Sequence, residues 1–445
     1  MKLFSLVITL LLFGALLSAQ GTSRSEYYAT LRFMESPFED FAGVGRLSNS
    51  QALIQNHYRF DYDDKHRLIK VSFHSGKRPA NPNFTANYFF LSHAIMFFYT
   101  DSTEVRMFQN LMGKYIAIRG NNYKEVYQIN NRGFRVSMQV EDYQGQKTQH
   151  QWGIARYSWV IQEDGTVIEE RFSLAGQPTP MRPDLPFYRV RFSFNSTGSL
   201  ALIQHIDSVG NLQANVTGAA QDKLDYDKSG RFFGWTVLDE QGQRVQGNAP
   251  LVAQGINEPN ELGYYAATHY LDVNGSRMSS AYYTWGDVTQ YDKYGNQALI
   301  HFRDSMGGPG PHLREGLVYI KYQFDSRGYN MEKISFLDIH NQPFVHPVAG
   351  YAIQQNKFDS EDRTTRISYH DKNGLLINRA DTNYAYIALE YDNEGRLSKQ
   401  SFHQADGQLT EVPERGYAVV ELVYPGAQHV VIGIRRYDKT GKPIK

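Results

Sequence analysis

The stretch YDNEGRLSKQSFHQADGQL at residues 391–409 restates a line the chain has already written. FDSEDRTTRISYHDKNGLL begins at residue 358, YDKYGNQALIHFRDSMGG at 291 and YDKSGRFFGWTVLDEQGQR at 226. A fixed period constrains the fold more than any single residue, because each repeat is one supersecondary unit that must bury its inner face against neighbours. An aromatic or aliphatic residue followed by a four-residue turn occurs at Tyr62, Ile129, Ile161, Phe194, Tyr226, Leu271, Tyr291, Phe324, Phe358, Tyr391 and Tyr424. Most steps are roughly 33 residues, with an irregular pair around Leu271 and room for a degenerate unit around Tyr99, so about twelve units fill the chain.

Each unit carries two turns with the same chemistry. Aspartate stands first and glycine fourth in Asp227–Gly230, Asp272–Gly275, Asp292–Gly295, Asp325–Gly328 and Asp392–Gly395. A second series runs Asp142–Gly145, Asp207–Gly210, Asp239–Gly242, Asp304–Gly307, Asp371–Gly374 and Asp438–Gly441. Aspartate at the first position accepts hydrogen bonds from the turn's own backbone, and glycine takes the left-handed conformation that side chains resist. This is a type I turn extended by a glycine bulge, so the aspartates have a structural task before any catalytic one.

Between the turns the period is two. Ala385, Ile387, Leu389 and Tyr391 share one face while Glu390 lies on the other, and Ala418, Val420, Leu422 and Tyr424 repeat the pattern opposite Glu421. Such alternation marks strands with one buried and one wet face. The expected fold is therefore all-β: tandem hairpin repeats forming a long antiparallel meander, curled or superhelical, as an open sheet. A closed β-shell or propeller-like arrangement is the alternative, disfavoured because propeller blades need four strands and about 40 residues. Phe98–Lys114 reads ambiguously and could hold a short helix. The expected organisation is a signal peptide at 1–19, an N-terminal cap segment at 20–57 and a repeat domain at 58–445, irregular near 74–120 and 243–270. The cap would cover a sheet edge that is otherwise adhesive.

The first twenty residues carry one early lysine, an apolar core from Leu3 to Leu17 and the small residues Ser18 and Ala19. That is a secretory signal with cleavage after Ala19, too short to span a bilayer. With no cysteine, the exported chain folds without disulfides. Lysine plus arginine equals aspartate plus glutamate at 46 each, without a basic stripe, so a nucleic-acid partner is not expected. The expected location is the periplasm or the medium, with no transmembrane segment after signal cleavage.

The unit resembles bacterial tyrosine–aspartate repeat proteins, the group that includes RHS-type YD repeats. The pattern Gly-Tyr-Ala, Tyr-Asp-x-x-Gly, Phe, then Asp-Gly is met by Gly416-Tyr417-Ala418, Tyr391-Asp392 with Gly395, Phe402 and Asp406-Gly407, and Gly441-Lys442-Pro443 closes the last unit. The resemblance implies β-sheet repeats, which in RHS-type proteins wind into shells around a C-terminal toxin. This chain departs from them in its longer period and in ending on a repeat.

Candidate chemistry is sparse. Asp225-Tyr226-Asp227-Lys228-Ser229-Gly230 imitates half of a calcium loop but puts Thr236 where an EF-hand needs glutamate, so it reads as a turn. His74, His370 and His403 occupy one repeat column, where neighbours would share a metal or titrate together. The same column holds Ser173, Leu238, Arg303 and Leu337, as a tolerant surface position would. No GxSxG, phosphate-cradling loop or HExxH is present. The adjacent pairs Glu169-Glu170 and Asp239-Glu240 are poor acid–base partners where strand neighbours point to opposite faces. Tyr384, Tyr386 and Tyr417 fall on the nominally outer face, either packing a second covered layer or offering rings to a sugar or protein. No catalytic, cofactor-binding or metal-ligating residue is assigned. The reading is a non-enzymatic exported repeat protein with a binding or structural role and an unidentified protein or glycan ligand. The alternatives are a polysaccharide- or peptidoglycan-acting enzyme, with its site beside 74–120 or 248–263, and a shell for a partner protein.

Overall fold

The structure, a computed structural model, describes residues 22–82, 87–413 and 415–444; the expected signal peptide lies outside the described residues. The chain divides into two compact units, Met1–Val160 with Phe172–Gln177 and Ile161–Arg171 with Pro178–Lys445. Both are built of antiparallel strands.

In the second unit each repeat is a hairpin. Gln221–Tyr226 pairs with Phe232–Leu238, Tyr319–Phe324 with Met331–Leu337, and Tyr386–Tyr391 with Leu397–His403. Register within a hairpin runs from Tyr386↔His403 to Tyr391↔Leu397, with an irregularity just before the turn. That is where a bulge fits the extra residue of the loop. Between hairpins the pairing is shorter, Arg366↔Ala388 to Ser368↔Tyr386. Every strand pairing described in the second unit joins chain neighbours, as a meander requires.

The turns satisfy themselves. Asp392 Oδ1 accepts from the N–H of Glu394 at 3.0 Å and of Arg396 at 2.9 Å, and the Gly395 N–H donates to the Asp392 carbonyl. Gly395 sits at φ 72°, where a Cβ would cost about 1–2 kcal/mol. The second turn of each repeat is closed by an isolated bridge such as His403↔Leu409 or Leu238↔Arg244.

The irregularity around Leu271 has a simple origin. The hairpin Gln254–Pro259 with Tyr265–Leu271 turns at Asn260–Gly263, where Asn260 Oδ1 takes the N–H of Leu262 and Tyr264. Asp272–Gly275 is that repeat's second turn. Pro259 and Asn260 stand where Tyr-Asp would, and counting from Pro259 restores a step of roughly 33 residues.

The alternation is less one-sided than the pattern predicts. Where each second strand ends, both faces are covered: Tyr369 is 4% exposed and its neighbour Ser368 only 3%. On the aromatic face Phe336, Tyr351, Tyr369, Tyr384, Phe402 and Tyr417 form one ladder, with centroids 4.8–6.0 Å apart. Arg379 lies 4.7–5.8 Å from three of those rings.

The first unit uses the same hairpins with more decoration. Its strands run, in space, Gly43–Leu47, Arg24–Leu31, Asn56–Tyr62, Leu68–Ser75, Ala94–Tyr99, Thr103–Gln109, Lys124–Ile129, Arg135–Glu141, Arg156–Ile161. The segment expected as a cap thus supplies two strands on the Asn56–Tyr62 edge. It also supplies a single helical turn, Asn49–Ala52, closed by the Ser48–Gln51 capping box. Residues 98–114 form strands and turns rather than a helix: Thr100 Oγ1 accepts from the Ser102 and Thr103 N–H groups, a glycine-free turn between Ala94–Tyr99 and Thr103–Gln109.

The first unit also buries charge. Arg106, 1% exposed, donates to Glu104 at 2.7 Å and lies 4.3 Å from the Tyr127 ring centre. Glu104 also receives Arg135 at 2.7 Å, and Arg135 reaches Asp40 at 2.7 Å. Such a network is stable only when every charge is matched. No helix among the described residues is long and apolar enough to cross a membrane.

Candidate functional site

Inside the first unit, the segments that interrupt the repeat close over a small cleft, partly open to solvent and lined from 88–91, 118–125 and 150–152. Residues 150–153 are an ordinary inter-repeat loop. The Trp152 N–H donates to His150 Nδ1 at 3.1 Å, which places the imidazole proton on Nε2, 2.9 Å from Tyr157 Oη. Burial pushes His150 down to about 4, so the ring is neutral near pH 7. His312 and His346 cap equivalent loops in the second unit in the same way, which makes this histidine a loop anchor.

The other wall comes from the insertion. Gly120, at φ 77°, lets Arg119–Asn121 lie against residues 149–151; a Cβ there would stand 2.4 Å from the His150 carbonyl carbon. Arg119 Nη1 donates to Gln151 Oε1 at 3.0 Å, tying the walls together at the rim. Tyr88, Phe89 and His150 surround Trp152 edge-on, with centroids at 5.9, 6.1 and 5.5 Å. Trp152 and Phe89 are half-buried and Tyr88 is exposed.

The floor is polar. Asn122, 1% exposed, donates from Nδ2 to Glu125 Oε1 at 3.0 Å, and Tyr127 Oη donates to Glu125 Oε2 at 2.9 Å. Asn122 Oδ1 is buried without a hydrogen-bond partner. The amide cannot rotate to remedy this without setting its oxygen against the Glu125 carboxylate. A lone buried acceptor costs about 1–3 kcal/mol. A donor entering the cleft would remove that cost.

The residues singled out from sequence lie elsewhere and are engaged in packing. His74, His370 and His403 each lie 2.8–3.0 Å from the serine two residues earlier, Ser72, Ser368 and Ser401. His370 and His403 also bond the glycine carbonyl of their own turn, and His403 stacks on Tyr386 at 4.5 Å. His74 instead belongs to a cluster with His57 and His93, at 5.4 and 5.6 Å. Among the described residues no group of three or more histidines and carboxylates is placed to hold a metal ion. Tyr386 is clamped between His403 and Arg366, whose guanidinium lies 3.8 Å from its ring centre, and Tyr384 and Tyr417 belong to the ladder. In the would-be calcium loop, Asp225 pairs with Lys223 and Asp227 is taken by its turn and Arg231. Glu169 is buried against Arg171 while Glu170 faces Arg189, on opposite sides of the strand.

Two roles escaped the sequence reading. The tyrosine that opens a turn donates its hydroxyl to the preceding repeat: Tyr391 to the Thr364 carbonyl, Tyr424 to Leu397, Tyr291 to Tyr265 and, in the first unit, Tyr99 to Leu68, all at 2.8–3.0 Å. The arginine after the turn glycine position pairs with the turn aspartate and covers the next repeat's tyrosine, as Arg363 does over Tyr391 and Arg396 over Tyr424. The recurring Arg67, Arg231, Arg363 and Arg396 were the visible signal.

Two other buried acids stand out in the second unit. Burial pushes the Asp222 carboxyl up to about 7, against Arg182 and a hydrogen bond from Asn248, and pushes Asp287 up to about 6.

No family model and no curated relative matches the chain. Among solved structures it is similar to TcdB2-TccC3 without its hypervariable C-terminal region, at 12% identity and a TM-score of 0.29 over 84% of this chain. It is also similar to the Photorhabdus luminescens Tc holotoxin pore, at 10% identity and a TM-score of 0.24 over 88% of this chain. A protein of unknown function from Bacteroides caccae aligns over 95% of this chain and all of its own length, at 11% identity and a TM-score of 0.09. The chain spans 22% and 27% of the first two, and the likeness is too slight for anything they do to be carried over.

Proposed function

We propose that this chain is a non-enzymatic repeat protein, exported to the periplasm or the medium, that serves as a scaffold holding a ligand. The observation that carries this reading is the contrast between its turns and its cleft. Turn aspartates such as Asp227, Asp359 and Asp392 are committed to their own backbone and to an arginine, which is scaffold chemistry. The cleft, in contrast, brings rings and an unmatched acceptor to one partly open place. The YDxxG motif and its resemblance to tyrosine–aspartate repeat proteins support the scaffold role and, through the leader at 1–19, the export.

A glycosidase of the usual kind would need two carboxylates flanking the scissile bond. Among the described residues Glu125 is the one carboxylate lining the cleft, and both its oxygens are engaged by Asn122 and Tyr127. The test is to fractionate producing cells and to incubate the purified mature chain with envelope polysaccharide while measuring reducing ends. A soluble exported chain beginning at Gln20 that releases none agrees with the proposal. Cytoplasmic retention, or steady release of reducing ends, contradicts it.

A further inference from the structure

We infer that the cleft at Trp152 is a saccharide subsite, taking one neutral pyranose ring of a longer glycan. This rests on the ligand-holding role proposed above and names its chemistry. Carbohydrates present flat C–H faces rimmed by hydroxyls, each both donor and acceptor. They are held by apolar rings together with side chains of both hydrogen-bonding kinds.

The cleft offers that combination. Trp152 stays half-buried among Tyr88, Phe89 and His150, so its indole is held in place by neighbouring rings while part of it faces the opening. Arg119 and Gln151 bring donors to the rim, and Asn122 Oδ1 supplies the unmatched acceptor at the floor. A hydroxyl donating to that oxygen would satisfy an acceptor that the protein's own groups leave unpaired.

Charge argues for a neutral ligand. Among the described lining residues one base, Arg119, is set against one acid, Glu125, so neither sign of charge prevails. With both oxygens of Glu125 already engaged, a ligand cation finds no open carboxylate there. The cleft is open on one side, so a ring seated against Trp152 lets the rest of the glycan continue outside.

The test uses the full mature chain. Trimers of β-1,4-linked glucose, β-1,4-linked N-acetylglucosamine and α-1,4-linked glucose are titrated by calorimetry, and the same cells are then analysed for shorter sugars by chromatography. At least one trimer should bind with a Kd at or below about 1 mM, and Trp152→Ala should weaken it about tenfold, the equivalent of about 1.4 kcal/mol. Arg119→Ala, on an exposed side chain, should also weaken binding and serves as the second variant if Trp152→Ala fails to fold. Tyr282→Ala, an exposed ring of the second unit, should leave affinity unchanged. Absence of heat with all three trimers at about 10 mM, or affinity that neither cleft variant alters, overturns the subsite while leaving the scaffold reading to a protein ligand. Binding followed by cleavage supports the subsite and overturns the non-enzymatic reading instead.

Discussion

The two units are written in the same repeat and differ in what it carries. In the second, one hairpin after another closes its turn with its own aspartate and leans a tyrosine hydroxyl and an arginine on its neighbour. In the first, the same hairpins hold an ion network joining Arg106, Glu104, Arg135 and Asp40, where the second buries the pair Glu169–Arg171, together with a histidine cluster and a cleft made from inserted segments. The regular unit shows how a repeat reaches stability from short-range bonds, each modest and many times copied. The irregular one shows where such a chain concentrates interactions that depend on a single arrangement of distant residues. Damage should therefore be shared in the second unit and concentrated in the first.

The largest effect should come from removing the two strands that cover Asn56–Tyr62. A chain beginning at Asn56 loses both Arg24–Leu31 and Gly43–Leu47 and exposes a strand edge. Light scattering should report association; a monomeric, soluble product would remove the capping role from residues 20–57. Next comes Glu104→Gln, which leaves Arg106 and Arg135 without their shared carboxylate. Loss of a buried ionic partner costs about 3–5 kcal/mol, against about 1–2 kcal/mol for Asp392→Ala in a turn, by urea denaturation. Equal costs would erase the contrast between the units.

The histidine cluster of the first unit and the two raised acids of the second should also respond to pH with opposite sign. Burial, then the neighbouring His57, His93, Lys70 and Arg59, pushes His74 down to about 3, and burial lowers His57 and His93 as well. The unfolded chain then binds more protons than the folded one, so the first unit loses stability as pH falls from about 6.5 toward 3. Asp222 and Asp287, raised to about 7 and 6, hold protons the unfolded chain releases. The contribution of these two acids is therefore lost as pH rises from about 4 through 7. Asp222→Asn should melt higher than the parent at pH 8 and alike at pH 4; the reverse order would refute the assignment.

The smallest effect expected is that of Tyr391→Phe, which deletes one bond to the Thr364 carbonyl at a cost of about 1 kcal/mol by denaturant midpoint. An effect several times larger would mean that repeats are joined through few contacts rather than many.

Much of this frame can be read from the chain because its causes are local. Aspartate and glycine set each turn within four residues, and a two-residue period sets each face. The exceptions had local causes too. Pro259-Asn260 concealed one turn, and the glycine-free Thr100–Thr103 turn made 98–114 look continuous. What escaped notice acts at a distance. Tyr391 reaches a carbonyl in the preceding repeat, and Arg396 serves a tyrosine in the next. The cleft joins Tyr88, Asn122 and Trp152 from three segments with no common spacing, and Asn122 becomes unusual only once burial has removed water from its oxygen.

The most direct test is hydrogen exchange by mass spectrometry over the whole chain, with and without the tightest-binding trimer. Protection confined to peptides covering 87–92, 118–125 and 150–153, with second-unit turns unchanged, is the expected result. Protection spread across the second unit's turns, with the cleft peptides unaltered, would contradict the division of labour between the two units.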